Sequence, residues 1–217
     1  MVDGLSMFVY KQVALGGGIF MLWDSRSWKG EVLETGSYTL TCKFEAVFQD
    51  FNCHITGVYA PNGRVEREHV WEEIGAVRSL FEGSWAVCGD FNIIRYPSEK
   101  RNCKRRTLGM IEFSDFIEDM DLVDLQLVGG NYTWFKGDNN NVASRIDRIL
   151  ISKEWMLTLA EFNKWFYRDC AEITVPLLYN VDLRSKTNRI SSLIIGGSTQ
   201  RVLLKKLKDG GSLLYSL

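Results

Sequence analysis

The chain of 217 residues is 46% hydrophobic and carries a formal net charge of -1, which suits one large α/β domain with a real core and excludes a surface that traps polyanions as a whole, so any polyanion site is local. Five cysteines, an odd count with no Cys-x-x-Cys pair, point to reduced thiols in an intracellular protein, nuclear or cytoplasmic, rather than to a disulfide framework. No apolar run reaches membrane length, and residues 1–18 show no basic segment ahead of an apolar core, so neither a membrane partner nor a signal peptide is expected.

Residues 1–15 are weakly patterned. Gly16-Gly17-Gly18 leads into a short buried strand over 19–23. No Lys-Ser or Lys-Thr follows the glycines, which excludes a P-loop. A second strand is expected over 28–34. Residues 39–48 alternate cleanly, with Leu40, Cys42, Phe44, Ala46 and Phe48 on one side, the period of a strand with one buried face. Residues 52–60 read as its hairpin partner, stopped by Pro61, which has no N–H to give. The spacing of Val70, Ile74, Val77 and Phe81, with Trp71 beside them, predicts a helix over 66–81. A strand over 85–88 follows. Residues 93–108 form a polar loop holding Lys100, Arg101, Lys104, Arg105 and Arg106. Met110, Phe113, Phe116, Ile117 and Met120 predict a second helix over 110–120. Gly129-Gly130 turns the chain into a short strand over 132–135, Gly137 to Asn141 is another turn, and 144–152 is a strand with a helical turn after it. Beyond about residue 162 the patterning decays, and Lys205 to Lys208 reads as a solvated basic end.

The chemistry concentrates at Cys88-Gly89-Asp90-Phe91-Asn92. In extended geometry residues i and i+2 point the same way, so Asp90 and Asn92 are expected to face one point just past a strand end, one as a proton acceptor and the other as a neutral donor. The same residue types also shape turns. Tyr59, at the end of its strand, is either a hydroxyl for a ligand phosphate or a core aromatic. Arg145 and Asp147 share a face under period two. Asp147 then orients a histidine or binds a metal, or the two residues form a cross-sheet ion pair of little worth. Thr133 and Trp134 form a short edge that can line a groove. The basic loop suits nucleic-acid backbone contacts or is simply solvated.

Several stretches stand in one order: Gly17-Gly18-Ile19 to Trp23-Asp24, Val58-Tyr59-Ala60-Pro61-Asn62, Gly89-Asp90-Phe91-Asn92 with Ser98-Glu99-Lys100, Phe113-Ser114-Asp115-Phe116, Leu122-Val123-Asp124-Leu125, Gly129-Gly130-Asn131-Tyr132-Thr133-Trp134, and residues 144–152 beginning Ser-Arg-Ile-Asp. Each is weak alone. As an ordered set over about residues 16–155 it resembles the endonuclease/exonuclease/phosphatase superfamily, most of all the endonuclease domain of plant non-LTR (LINE-type) retrotransposons. The resemblance implies a four-layer α/β sandwich of the DNase I-like type with mixed, mostly antiparallel sheets. It also implies hydrolysis of DNA phosphodiesters with Mg2+. By that likeness Asp90 orients or deprotonates the attacking water, Asn92 and Tyr59 bind the scissile phosphate, and Asp147 holds an imidazole. Thr133, Trp134, Arg145, Lys100, Arg101, Lys104 and Arg105 bind substrate.

The sequence also departs from that pattern. The family carries a strand with an asparagine, then a strand ending in a metal-binding glutamate, ahead of the Gly-Gly-Ile stretch, and it closes on Ser-Asp-His. Here about fifteen residues precede Gly-Gly-Ile without a Gln-Glu match, and the two histidines, His54 and His69, lie before Asp90. The expectation is a sandwich incomplete at both ends: a partial domain over 1–160 and a divergent tail over 161–217, a fragment of a decayed element with its metal ligands undetermined. Such a fragment would have an uncovered sheet edge or an exposed apolar face and little or no nuclease activity. Two readings compete with an active nuclease: a catalytically dead relic or weak nucleic-acid-binding module, and a phosphatase for small phosphorylated substrates.

Overall fold

The computed structural model describes residues 5–13, 17–48, 50–127, 130–136, 142–158, 177–184 and 189–196. The expected turns at Gly16, Gly129 and Gly137 to Asn141, most of the tail and the Lys205 to Lys208 run lie outside them.

Strands β1 (Leu5–Val13), β2 (Gly17–Asp24), β3 (Trp28–Thr35), β4 (Thr39–Ala46) and β5 (Asn52–Tyr59) lead to helix α1 (Arg64–Arg78) and strand β6 (Trp85–Asp90). Helix α2 (Leu108–Asp119), β7 (Leu122–Asp124), β8 (Trp134–Lys136), β9 (Val142–Ser144) and β10 (Asp147–Ser152) follow, then β11 (Leu177–Arg184) and β12 (Arg189–Gly196). A six-stranded sheet has the order β3-β4-β5-β6-β10-β7, and a four-stranded sheet the order β1-β2-β12-β11. In the larger sheet only β5 and β6 run parallel, joined through α1. A parallel pair requires such a crossover.

The larger sheet is covered on both faces. Val58, Trp85, Val87 and Leu150 pack with Val70 and Ile74 of α1 and Phe113 and Ile117 of α2. On the other face Leu40, Phe44, Ile55, Cys88 and Ile151 pack with Ile19, Met21 and Trp23 of the second sheet. Full burial of each large apolar side chain is worth about 1.5–3 kcal/mol. Gly57 lets the sheets approach, since a Cβ there would lie 2.6 Å from Ile19 Cγ2. Helices, sheet and second sheet thus form the mixed, mostly antiparallel α/β sandwich that the pattern implies.

Three features differ from the sequence reading. β4 is buried on both sides, because Thr39 and Thr41 lie under α1 and are paired there: Thr39 Oγ1 donates to Glu73 Oε1 at 2.6 Å, and Thr41 bonds Thr56 at 2.9 Å. The expected strand over 144–152 breaks after Ser144 and resumes at Asp147. The weakly patterned start carries β1, and the tail carries β11 and β12, with β12 parallel to β2. β3 ends the larger sheet with Val32 and Leu33 each 40% exposed.

Candidate functional site

Three strands bring three of the singled-out side chains into a row. Asp90 ends β6; across the parallel ladder it pairs with Tyr59, the last residue of β5, and across the antiparallel ladder with Asp147, the first of β10. Residues in register point to the same face, here the face turned to the second sheet. Tyr59 and Asp90 are 9% and 3% exposed, and Asp147 is half-buried. Two carboxylates directly opposite each other repel, an arrangement that burial in a core alone does not favour.

The turn beyond Asp90 departs from extended geometry. Gly89 has φ of +141°, and a Cβ there would sit 2.0 Å from the Val58 carbonyl oxygen, so only glycine fits between β5 and β6. Asn92 is left-handed, with φ of +49°. Its N–H donates to Asp90 Oδ1 at 2.8 Å, and its Nδ2 donates to the Ala60 carbonyl at 2.6 Å. A carboxamide has two N–H donors, and Ala60 takes one. Asp90 and Asn92 are therefore adjacent by a side-chain turn rather than by strand period.

Arg67 supports this turn from behind. It lies in α1, is 7% exposed, and donates through Nη1 to the carbonyls of Asn62 (2.6 Å), Pro61 (3.3 Å) and Asn92 (3.5 Å). Burial pulls its pKa below the usual arginine value against the nearby charges of Glu112 and Glu66. The sequence reading missed it. Its signal was the spacing 67, 70, 74, 77, which places a cation on the buried stripe of α1.

Thr133 acts on the backbone. Its Oγ1 accepts from the N–H groups of Ile146 (3.0 Å) and Asp147 (3.1 Å), which fixes the start of β10 and with it Asp147. Trp134 packs against Ile94, Met110 and Ile146. Arg145 does not share a face with Asp147. It turns to Asp124 (2.8 Å), the Leu125 carbonyl (2.6 Å) and Glu99 (3.4 Å). Arg148, fully buried, bonds the same two acids, Asp124 at 2.5 Å and Glu99 at shorter range. Burial pushes the Glu99 carboxyl up, but the Arg148 guanidinium and the N–H groups of Tyr96 and Arg95 outweigh it and hold Glu99 below the usual carboxylate range.

The basic loop runs beside this network. Lys100 forms a bridge with Ser144, the Arg101 N–H donates to the Ala143 carbonyl at 2.9 Å, and the Arg145 N–H donates to the Glu99 carbonyl at 2.8 Å. Lys100, Arg101, Lys104, Arg105 and Arg106 are all exposed.

Neither histidine joins the row. His54 pairs with Trp85 at the far end of β5 and stacks on Phe81 with ring centroids 3.8 Å apart, five residues from Tyr59 along the strand; His69 is exposed on α1. Among the described residues no three His, Cys, Asp or Glu side chains converge as a metal site would require. Mg2+ demands an octahedron of oxygens and is held by one or two carboxylates together with waters and substrate phosphate, so Asp90 and Asp147 could supply at most part of its shell, and no third acid joins them among the described residues. The thiols of Cys42, Cys53 and Cys88 are buried, and burial alone raises their pKa, that of Cys42 to about 12. They are inert core groups.

A sequence model described as the Endonuclease/Exonuclease/phosphatase family matches residues 21–161. No curated protein matches the chain. Among solved structures, the endonuclease domain of TRAS1, a telomere-specific non-LTR retrotransposon, is 15% identical with a TM-score of 0.49, over 61% of this chain and 58% of that one. A mannosyl-6-phosphatase from Bacteroides thetaiotaomicron is 14% identical with a TM-score of 0.42, over 67% and 63%. A beta toxin mutant from Staphylococcus aureus with bound magnesium ions is 18% identical with a TM-score of 0.40, over 54% and 42%. The chain thus spans less than two thirds of the length of each.

Proposed function

The chain belongs to the endonuclease/exonuclease/phosphatase family, and from that premise we propose that it is a retrotransposon-derived DNA-directed phosphodiesterase domain whose site is half assembled. The observation that carries this reading is the row Tyr59, Asp90 and Asp147 across three neighbouring strands. The ordered motifs favour a retroelement endonuclease over a phosphatase for small substrates. The exposed loop from Lys100 to Arg106 adds five cations beside the site, which suits a polyanion.

In this reading a phosphate oxygen meets the Tyr59 hydroxyl and the second N–H of the Asn92 carboxamide. Asp90 orients a water and takes its proton. Asp147 is placed to hold an imidazole, but both histidines of the sequence lie elsewhere. No carboxylate among the described residues completes a metal set with Asp90 and Asp147. Parts of a cooperative site seldom retain the rate of the whole, so the chain as it stands binds phosphodiesters and hydrolyses them poorly. The family-like part spans 1–160, and the divergent tail 161–217 adds β11 and β12 to its second sheet.

Binding to a short duplex, followed by fluorescence anisotropy across a salt series, tests the substrate class. Each phosphate contact contributes a slope of about -0.9 in log affinity against log salt. Engagement of most of the loop predicts a slope of roughly -3 to -4.5. A slope shallower than about -1 contradicts a nucleic-acid backbone as ligand and favours a small phosphorylated substrate.

A further inference from the structure

The basic loop is not only charged but held, and what holds it is itself ionic. Arg145, Arg148, Glu99 and Asp124 form a four-membered network joining the loop, β7 and the start of β10. The side chains are 14%, 0%, 11% and 9% exposed in that order. Each guanidinium bridges both acids. Arg148 also lies 5.4 Å from the centre of the Phe113 ring, which fixes it against α2. The Nε atoms of Arg145 and Arg148 are buried without a partner, so the network is not optimised for stability. Glu99 carries most of the attachment. Its carboxylate takes both arginines and the N–H groups of Arg95 (2.7 Å) and Tyr96 (3.1 Å), and its carbonyl takes the Arg145 N–H.

Buried ion pairs rarely stabilise a fold more than apolar packing of the same volume does; their best-attested use is to fix one geometry. This one has two cations and two anions, so it adds no net attraction for a polyanion. The next residue after Glu99 begins the exposed cations. We propose that the Glu99–Asp124–Arg145–Arg148 network is a clasp that presets the basic loop for the nucleic-acid backbone, with Glu99 a positioning residue for a ligand that its own charge repels. The inference rests on the reading that the loop binds DNA. It assigns Arg145 to the clasp rather than to direct contact with substrate.

The charge of Glu99 makes the test decisive in sign. Glu99→Gln raises the net charge by one unit, so a purely electrostatic surface binds duplex DNA more tightly after it. The clasp predicts the reverse: affinity falls about fivefold or more, and the salt slope becomes shallower by about 0.9 for each phosphate that the loop no longer neutralises. Glu118→Gln is the control, an exposed acid paired to Arg95 near the same loop; it binds as tightly as the unaltered chain or more tightly. Trypsin cleavage at the loop, read without DNA, accelerates in Glu99→Gln and not in Glu118→Gln. If Glu99→Gln melts below the assay temperature, Asp124→Asn, which leaves Glu99 on both arginines, reads the same signs at smaller amplitude. Equal or tighter binding by the clasp variants, with unchanged loop cleavage, overturns the clasp. Salt-insensitive binding by the unaltered chain instead overturns the DNA reading, and accelerated cleavage still reports on the clasp.

Discussion

Replacing Gly89 by alanine should damage the fold at the point where it builds the site. The added Cβ would lie 2.0 Å from the Val58 carbonyl oxygen and 3.0 Å from Val58 C and N. The obstruction is backbone, so no rotamer relieves it. Strands β5 and β6 must separate by at least about 1 Å to restore ordinary contact, one position before Tyr59 faces Asp90. Overpacking of this kind costs about 1–3 kcal/mol, and a side chain at φ of +141° adds roughly 1–3 kcal/mol of backbone strain. The total, about 2–6 kcal/mol, is a large share of the ~5–15 kcal/mol that stabilises a domain. At about 2–4 °C per kcal/mol for a chain of this size, the melting midpoint falls by roughly 5–20 °C. Circular dichroism during a thermal ramp measures it. Gly75→Ala, inside α1 with nothing within 4 Å of the new Cβ, is the internal control and gains about 0.5–1 kcal/mol from helix propensity. A Gly89→Ala midpoint within about 2 °C of the unaltered chain refutes the steric argument.

Thr133→Val keeps the shape but removes the acceptor for the Ile146 and Asp147 N–H groups. Leaving such donors unpaired costs about 1–3 kcal/mol each, which lowers the urea midpoint, whereas Thr133→Ser recovers most of it. His54 is held below its ordinary pKa of 6.5 by burial first, then by the charges of Lys43 and Arg78. The folded chain therefore stays neutral there while the unfolded chain takes up a proton as pH falls through 6.5, so stability is lost on the acid side of that value. His54→Phe should flatten the fall of the melting midpoint between about pH 7 and pH 5, and an unchanged slope would contradict the assignment.

Five of the six strands of the larger sheet, all but β7, and both helices were legible because their signals are local. The alternation over 39–48 and the stripe Val70, Ile74, Val77 follow from the period of a strand and of a helix. The alternation did not reveal that α1 covers Thr39 and Thr41, since a threonine paired to Glu73 or Thr56 reads as a solvent-facing position. β1, β11 and β12 were illegible for another reason. β12 finds its parallel partner β2 across most of the chain, and nothing in residues 189–196 specifies that register locally. At the site, Asp90, Tyr59 and Asp147 were readable as strand-end residues. The left-handed Asn92 was not, because its conformation is set by Asp90 Oδ1 and the Ala60 carbonyl. Arg145 reads in the sequence as a substrate-binding cation because its acids, Glu99 and Asp124, are 46 and 21 residues away along the chain.

The half-assembled site is tested most directly by single-turnover nicking of supercoiled plasmid with excess chain and magnesium, set beside Asp90→Ala. The account predicts that the chain nicks no faster than the Asp90→Ala variant. Nicking well above that variant would mean that Asp90 works without an imidazole on Asp147 and without a third acid among the described residues, and would contradict it.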